Sequence, residues 1–223
     1  VVTAFVLPEG HTPDRSISLR PGPILRNYAL VLKEPQFLTY ALSGAFAFSG
    51  LLVYVAGSPI VFMEVFHVSA KQFGAIFAGL SVGFIGSNQV NVLLLRKFSS
   101  EQIYRGAMLV ECPMALLLLV GTMAGWFGLP ATLVLLFICL SSLGLAYPNA
   151  AALSLVPFDR NIGSASAMLG FLQIGVSGLA SASIGIFDSH SLMPVALVLT
   201  ATSWIGFAIL LIGKRRIPNL RFV

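Results

Sequence analysis

Residues 56–74 read AGSPIVFMEVFHVSAKQFG, a short polar turn between two long apolar runs. Residues 35–63 contain no Asp, Glu, Lys or Arg, and neither do residues 72–95. A hydrocarbon core of about 30 Å needs roughly 20 apolar residues to cross it as a helix, and both runs exceed that length. The stretch therefore predicts the tip of a membrane-spanning helical hairpin.

The composition predicts a chain whose main solvent is lipid. Hydrophobic residues make up 57% of the sequence and charged residues 9%, with a mean hydropathy of +0.92. A soluble domain is usually about 25% charged, so this much apolar surface excludes an ordinary soluble fold. The net charge of +5 would favour nucleic acid only if the basic residues formed a patch on a soluble face, and we expect no such partner.

The residue types present predict no cofactor, no metal and no enzyme. Cys112 and Cys139 lie inside apolar runs, so we expect no structural disulfide. The histidines His11, His67 and His190 are far apart and lie in predicted loops. An enzyme would need a paired nucleophile and base, or two carboxylates, at one depth of the membrane, and neither arrangement is present.

Charged or glycine- and proline-containing turns divide the apolar sequence into six predicted spans. They cover residues 37–61, 73–95, 103–126, 131–156, 162–187 and 192–212, within a bundle over residues 37–213. Residues 9–36 form a polar linker with a short amphipathic helix predicted at 24–32. Residues 1–8 are interpreted as the tail of an earlier membrane helix, and residues 214–223 as a polar tail.

The basic residues lie almost entirely on one side of the predicted spans. Twelve of them are on the side of the linker and the tail, and Lys71 is on the other side. By the positive-inside rule, the linker and the C-terminus are cytoplasmic and the turn at residues 56–74 faces outside. The basic residues are therefore explained by membrane topology.

Small residues mark the spans that we expect to pack closely, because Gly, Ala and Ser let membrane helices approach one another. The fifth span is richest in them and includes Gly163 and Gly170, and the second contains Gly83 and Gly86. We expect close neighbours on both sides of these two spans. The Leu- and Val-rich third and sixth spans are expected to face lipid.

Four stretches of the chain carry a family resemblance. They are Ala56–Gly74, Asn91–Lys97, Pro148–Ala150 together with Gly163–Ala167, and Leu7–Glu9. In the order given, they resemble the junction of helices 7 and 8, the end of helix 8, the region of helices 10 and 11, and the end of helix 6 in one transporter family. That family is the bicyclomycin/chloramphenicol-resistance (Bcr/CflA) branch of the major facilitator superfamily.

The resemblance implies an all-α membrane protein whose six transmembrane helices form the C-terminal half of a major facilitator fold, a 3+3 inverted repeat. It also implies a proton-coupled multidrug efflux antiporter that exports drugs or small metabolites across the inner membrane. The implied partners are membrane lipid, the missing N-terminal six-helix half, a small-molecule drug and protons. The family's proton-coupling carboxylates lie in that other half, so we expect this chain alone to be unable to transport.

The resemblance further implies a substrate cavity lined by the first span of each triplet and gated by the second. The cavity candidates are Phe48, Tyr54, Asn88, Asn91, Tyr147, Asn149 and Gln173. The gating and packing candidates are Gly57, Pro59, Gly83, Gly86, Gly163 and Gly170, and Gly57-Ser58-Pro59 predicts a bend near the outer gate. The alternative role for the polar candidates is hydrogen bonding between helices.

Glu111 is a carboxylate inside a predicted span, which makes it a functional candidate by default. It lies six residues after Arg105, about 9 Å along a helix, so we expect its side chain to snorkel to the interface. Its span is also expected to be peripheral. We therefore favour a structural role for Glu111 and keep proton coupling as the alternative.

Two other functions remain open from the sequence. One is half of another major facilitator porter, for a sugar or a metabolite, although sugar sites usually need more polar and charged groups at mid-depth. The other is a membrane protein that does not transport. An acidic residue in the first helix of the other half and a basic loop after its second helix would favour the antiporter.

Overall fold

Seven α-helices make up the part of the chain that the computed structural model describes, residues 21–158, 161–187 and 191–217. They are α1 (Pro21–Val31), α2 (Pro35–Pro59), α3 (Ala70–Leu94), α4 (Ser100–Met123), α5 (Leu129–Leu155), α6 (Ile162–Ser183) and α7 (Met193–Lys214). A π-helical turn, Ile60–Val65, continues α2, and a 3₁₀ turn, Ile184–Ile186, follows α6. The predicted tail of an earlier helix at residues 1–8 lies outside the described residues.

Helices α2 to α7 are long and apolar enough to cross a membrane, which confirms the six predicted spans. The short helix predicted at residues 24–32 is present as α1, although it begins earlier, at Pro21. Proline is tolerated in the first turn of a helix, where its missing N–H would have no intrahelical partner. Pro21 and Pro23 therefore start α1 and do not interrupt it.

Helices α3 and α4 both begin three residues before the predicted positions, and a capping box explains each difference. The Ser69 hydroxyl accepts from the Gln72 N–H, and the Gln72 side chain accepts from the Ser69 N–H. Ser99 and Gln102 form the same pair at the start of α4. A capping box satisfies two helical N–H groups reciprocally, so it sets the helix start regardless of nearby charges.

The predicted bend at Gly57-Ser58-Pro59 is a change of helix type. Pro59 has no N–H, so the Val55 carbonyl loses its helical partner, and the Ser58 hydroxyl donates to that carbonyl at 3.1 Å. Immediately afterwards the backbone widens into the π-helical turn, in which the Phe66 N–H donates to the Val61 carbonyl at 3.2 Å. The structure thus has an irregularity directly after Pro59 in the form of a π-helical turn, whereas the bend near an outer gate stays a prediction.

The packing of the six spans is symmetric between the triplets α2–α4 and α5–α7. Helix α2 packs on α6 and α7 of the other triplet, and α5 packs on α3 and α4 in the equivalent way. The two first helices, α2 and α5, also contact each other, as do the two third helices, α4 and α7. Because each triplet has an odd number of spans, the second enters the membrane from the opposite side, which makes the repeat inverted.

Helices α3 and α6 are the least covered spans of the described chain. In their most apolar windows, 22% and 17% of the residues are buried, compared with 39–50% for the other four spans. Close neighbours on both sides are therefore not present within the described chain, in which α6 packs mainly on α2 and α3 mainly on α5. The lipid-facing expectation for the sixth span is wrong, because α7 packs between α2 and α4.

The basic end of the bundle is closed by an ion pair and by α1. Lys214, in the last turn of α7, pairs with Glu101 in the first turn of α4. Val31, at the end of α1, is fully buried in a small cluster with residues of α2 and α6, which include Phe37 and Ala165. Helix α1 is therefore attached to the underside of the bundle at this end.

Replacing Gly144 by Ala is expected to destabilise the bundle. A Cβ at this position would overlap the Ser87 side chain and the Phe84 carbonyl of α3, and overpacking of this kind costs about 1–3 kcal/mol. Gly74→Ala is the matched control, because no described atom lies within 4 Å of a Cβ there, and Ala favours a helix over Gly by about 1 kcal/mol. Thermal unfolding in detergent should show a lower midpoint for Gly144→Ala alone, and equal midpoints would contradict the packing argument.

Candidate functional site

Two aromatic candidates from the first helix of each triplet lie side by side. The ring centroids of Phe48 in α2 and Tyr147 in α5 are 4.7 Å apart, and both side chains are partly exposed. The pair lies near a close contact of the two helices, where a Cβ on Gly44 would lie 2.7 Å from the Ala150 side chain. The backbones can approach because both residues are small, and the aromatic rings then meet beside the crossing.

Tyr54 belongs to a buried aromatic cluster between α2 and α3. Its ring stacks on Phe77 with centroids 5.6 Å apart, and Phe73 continues the cluster towards Phe62. Only 2% of Tyr54 is exposed, and its hydroxyl has no hydrogen-bond partner among the described residues. Phe62, Phe73 and Phe77 were not among the residues predicted from the sequence, although Phe62 and Phe73 lie within residues 56–74.

Asn91 and Asn149 hydrogen-bond to each other across the α3–α5 contact. The Asn149 Nδ2 donates to the Asn91 Oδ1 at 2.6 Å and to the Leu145 carbonyl at 2.7 Å. Both asparagines are buried, so the alternative role of helix-to-helix hydrogen bonding is the one that the geometry supports. The Asn88 side chain donates to the Phe84 carbonyl of its own helix at 3.1 Å and stays partly exposed.

Gln173 lies on the buried face of α6, which follows an i, i+4 pattern through Ala165, Leu169 and Ser177. In the part of the chain that the structure describes, the Gln173 Nε2 and the Ser177 hydroxyl are buried without hydrogen-bond partners. Unpaired polar groups are costly in a membrane helix. These two groups are therefore buried polar atoms without a described partner, on the face of α6 that packs against α2.

The gating and packing candidates separate into three groups. A Cβ on Gly57 would overlap the Val195 side chain of α7, and one on Gly83 would lie 2.8 Å from Phe137 and Ser141 of α5. Pro59 is exposed at the end of α2. The remaining three have no described atom within 4 Å of an added Cβ and lie on the uncovered faces of α3 and α6: Gly86, Gly163 and Gly170.

Glu111 is fully buried, and the expectation that it snorkels is wrong. The Ser203 hydroxyl of α7 donates to the Glu111 Oε1 at 2.6 Å, while Oε2 has no hydrogen-bond partner among the described residues. The prediction that Glu111 snorkels rests on its short distance from Arg105 along the helix. Glu111 is buried because it lies on the side of α4 that packs against α7, and a distance along the helix does not indicate which side a residue occupies.

Glu111 is part of a polar seam that joins α2, α4 and α7. Beside it, the Cys112 thiol donates to the Ser203 carbonyl at 3.4 Å. Further along, Ser43 of α2 donates to the Gly206 carbonyl at 2.7 Å and shares a 2.6 Å hydrogen bond with the Tyr104 hydroxyl. Apart from Glu111, this seam was not predicted from the sequence, because its other members are ordinary small or aromatic residues in apolar spans.

No three His, Cys, Asp or Glu side chains lie close enough to hold a metal ion within residues 21–158, 161–187 and 191–217. The described polar groups instead form pairs and short chains between helices. Such groups can position helices and offer hydrogen bonds to a small molecule. At the α2–α5 contact, the partly exposed rings of Phe48 and Tyr147 add aromatic surface.

Replacing Ser203 by Ala should destabilise the protein, because it removes the described hydrogen bond of a buried carboxyl group. The expected cost is about 1–3 kcal/mol in the free energy of unfolding. Ser154→Ala is the matched control, since Ser154 is equally buried but donates to the Ala151 carbonyl of its own helix. Denaturation in detergent micelles should separate the two variants, and equal losses would show that the Glu111–Ser203 bond has no special weight.

The chain is similar over most of its length to curated membrane transporters. It is 25% identical over 206 residues to a bicyclomycin resistance protein homolog of Haemophilus influenzae, covering 88% of the chain and 49% of that protein. It is 26% identical over 207 residues to the uncharacterized MFS-type transporter YdgK of Bacillus subtilis, covering 92% and 51%. Over 153 residues it is 30% identical to the multidrug transporter MdfA of Escherichia coli, covering 67% and 36%.

No family model matches the chain. The chain spans about half the length of the first two relatives, 49% and 51%. One of the relatives is a bicyclomycin resistance protein homolog, which agrees with the family resemblance of residues 56–74. The six spans also form the paired triplets of an inverted repeat. The chain therefore belongs to the bicyclomycin-resistance branch of the major facilitator superfamily, and its six membrane helices form the C-terminal half of that fold.

Proposed function

We propose that the chain is the C-terminal half of a multidrug efflux transporter that exchanges drugs or small metabolites for protons across the inner membrane. The observation that carries the proposal is the similarity over 88% of the chain to a bicyclomycin resistance protein homolog, with a multidrug transporter as a further relative. The aromatic pair of Phe48 and Tyr147 supports it, because aromatic faces can hold varied apolar drugs.

The proposed partner of this chain is an N-terminal six-helix half, and α3 and α6 are the helices that would meet it. Their uncovered faces expose apolar side chains, such as Ile85 on α3 and Phe171 on α6, beside glycines with free space around them. Small residues permit close helix approach, so these faces suit a packed but movable interface. Rocking of the two halves around a central site would then move the substrate outward.

The proposed cavity is formed by α2 and α5, with contributions from α3 and α6. Phe48, Tyr147 and Asn88 are its partly exposed members. Asn91, Asn149, Tyr54 and Gln173 are buried and would act as supports for that surface. Gly57 and Pro59 would act at the outer end, where α2 becomes π-helical.

Cells that express the full-length protein should resist bicyclomycin or chloramphenicol, and collapse of the proton gradient should abolish that resistance. The reason is that export against a gradient needs an energy source, and the proposed source is proton entry. Growth in the presence of drug, with and without a protonophore, is the measurement. Resistance that survives the protonophore would reject proton coupling, and uptake of a sugar or metabolite without resistance would favour another porter.

Two substitutions test the cavity within the same assay. Phe48→Ala and Tyr147→Ala should each reduce resistance several-fold, because removal of an aromatic side chain that contacts the drug loses roughly 1–3 kcal/mol of apolar binding free energy. Phe98→Ala is the control, since Phe98 is an exposed aromatic residue on the turn between α3 and α4. Unchanged resistance with normal protein levels would exclude this surface as the drug site.

Glu111→Gln should leave the pH dependence of efflux unchanged if that residue is structural.

The proposed orientation places the C-terminus in the cytoplasm and the turn before α3 outside. A cysteine introduced at Lys71 should react with a membrane-impermeant maleimide added to intact cells, whereas one at Lys97 should react only after permeabilisation. Both lysines are exposed, so accessibility differs only by side of the membrane. The native Cys112 and Cys139 are buried and should give little background. The reverse labelling pattern would overturn the orientation.

A further inference from the structure

A groove of about 340 Å³ runs between α2 and α7 at the basic end of the bundle. Its walls are apolar and come from both helices: Leu38 and Leu42 from α2, and Ile209 and Ile212 from α7. Lys33, in the turn before α2, and Arg216, just after α7, also line it. The groove therefore combines an apolar channel along two membrane helices with two cations at the membrane surface.

Thr39, in the floor of the groove, has no free hydroxyl donor for a ligand. Thr39 of α2 meets Gly213 of α7 so closely that a Cβ at the glycine would overlap the Thr39 side chain. The Thr39 hydroxyl donates to the Pro35 carbonyl at 2.7 Å, so it is already satisfied. Recognition of a polar ligand at this groove would therefore fall to the two cationic side chains.

Lys33 and Arg216 are exposed, and neither forms an ion pair with a residue in the described part of the chain. The ion pair that closes this end of the bundle uses other residues, Lys214 and Glu101. Glu34 follows Lys33 in the sequence but does not line the groove. The mouth of the groove is consequently positive.

We propose that this groove binds one anionic phospholipid, with the phosphate between Lys33 and Arg216 and an acyl chain along Leu38, Leu42, Ile209 and Ile212. An arginine can form two parallel hydrogen bonds with a phosphate, and a lysine adds a point charge. Basic residues at the membrane surface attract anionic lipids. The inference rests on the spans and the groove, and it does not depend on what the protein transports.

Binding of lipid to the full-length protein in detergent tests the proposal. Native mass spectrometry with dioleoyl phosphatidylglycerol, and with dioleoyl phosphatidylcholine as the neutral lipid, should show preferential retention of phosphatidylglycerol. The double variant Lys33→Gln with Arg216→Gln should bind phosphatidylglycerol about tenfold more weakly, since two surface charges are lost. Arg215→Gln is the matched control, because Arg215 is exposed beside the site but does not line the groove.

Two further arms separate a lipid site from diffuse attraction or a simple anion site. Ile212→Trp, which fills the apolar channel without a change of charge, should weaken phosphatidylglycerol binding while the unfolding midpoint without lipid stays near that of the parent protein. Equal weakening by Arg215→Gln and by the double variant would show diffuse electrostatics and overturn the proposal. Displacement of the lipid by millimolar inorganic phosphate would also overturn it, because the acyl chain would then contribute nothing.

Discussion

The structure depends on the requirement that polar groups inside the membrane find partners within the protein, because lipid offers none. The Ser203 hydroxyl donates to the Glu111 carboxyl and thereby joins α7 to α4. The Asn149 amide donates to Asn91 and joins α5 to α3. The apolar faces of these helices could pack against lipid at many rotations, whereas a buried polar group is satisfied at few, so these bonds select the rotation of each helix.

The symmetric pairing of the triplets follows from where small residues permit close contact. Gly44 against Ala150 brings the two first helices together, and Gly144 against Ser87 brings a first helix to a second helix of the other triplet. Each first helix is thus surrounded, while α3 and α6 keep one face uncovered. Because these uncovered faces contain glycines, another membrane helix can pack closely against them.

Much of the fold could be predicted from the sequence, because spans and turns are local properties. The existence of a turn within residues 56–74, the six spans and an irregularity at Pro59 were all predictable, since each depends on charge, proline or apolar length. The turn itself is shorter than predicted, because helical backbone extends to Val65 and resumes at Ala70. The starts of α3 and α4 were missed by three residues, because the capping pairs of Ser69 with Gln72 and Ser99 with Gln102 were not used. Both pairs are visible in the sequence as Ser followed three residues later by Gln, so these helix starts are encoded locally.

The number of membrane spans and the basic end of the bundle follow from the amino-acid sequence alone, because hydrophobic length and loop charge do not depend on neighbouring helices. Which residues meet is set by the folded bundle. It placed Glu111 in the α4–α7 contact, made Asn91 and Asn149 a pair, and brought the Phe48 and Tyr147 rings together. The physical reason is that these contacts depend on the rotation and crossing of helices far apart in the chain, which hydropathy does not specify.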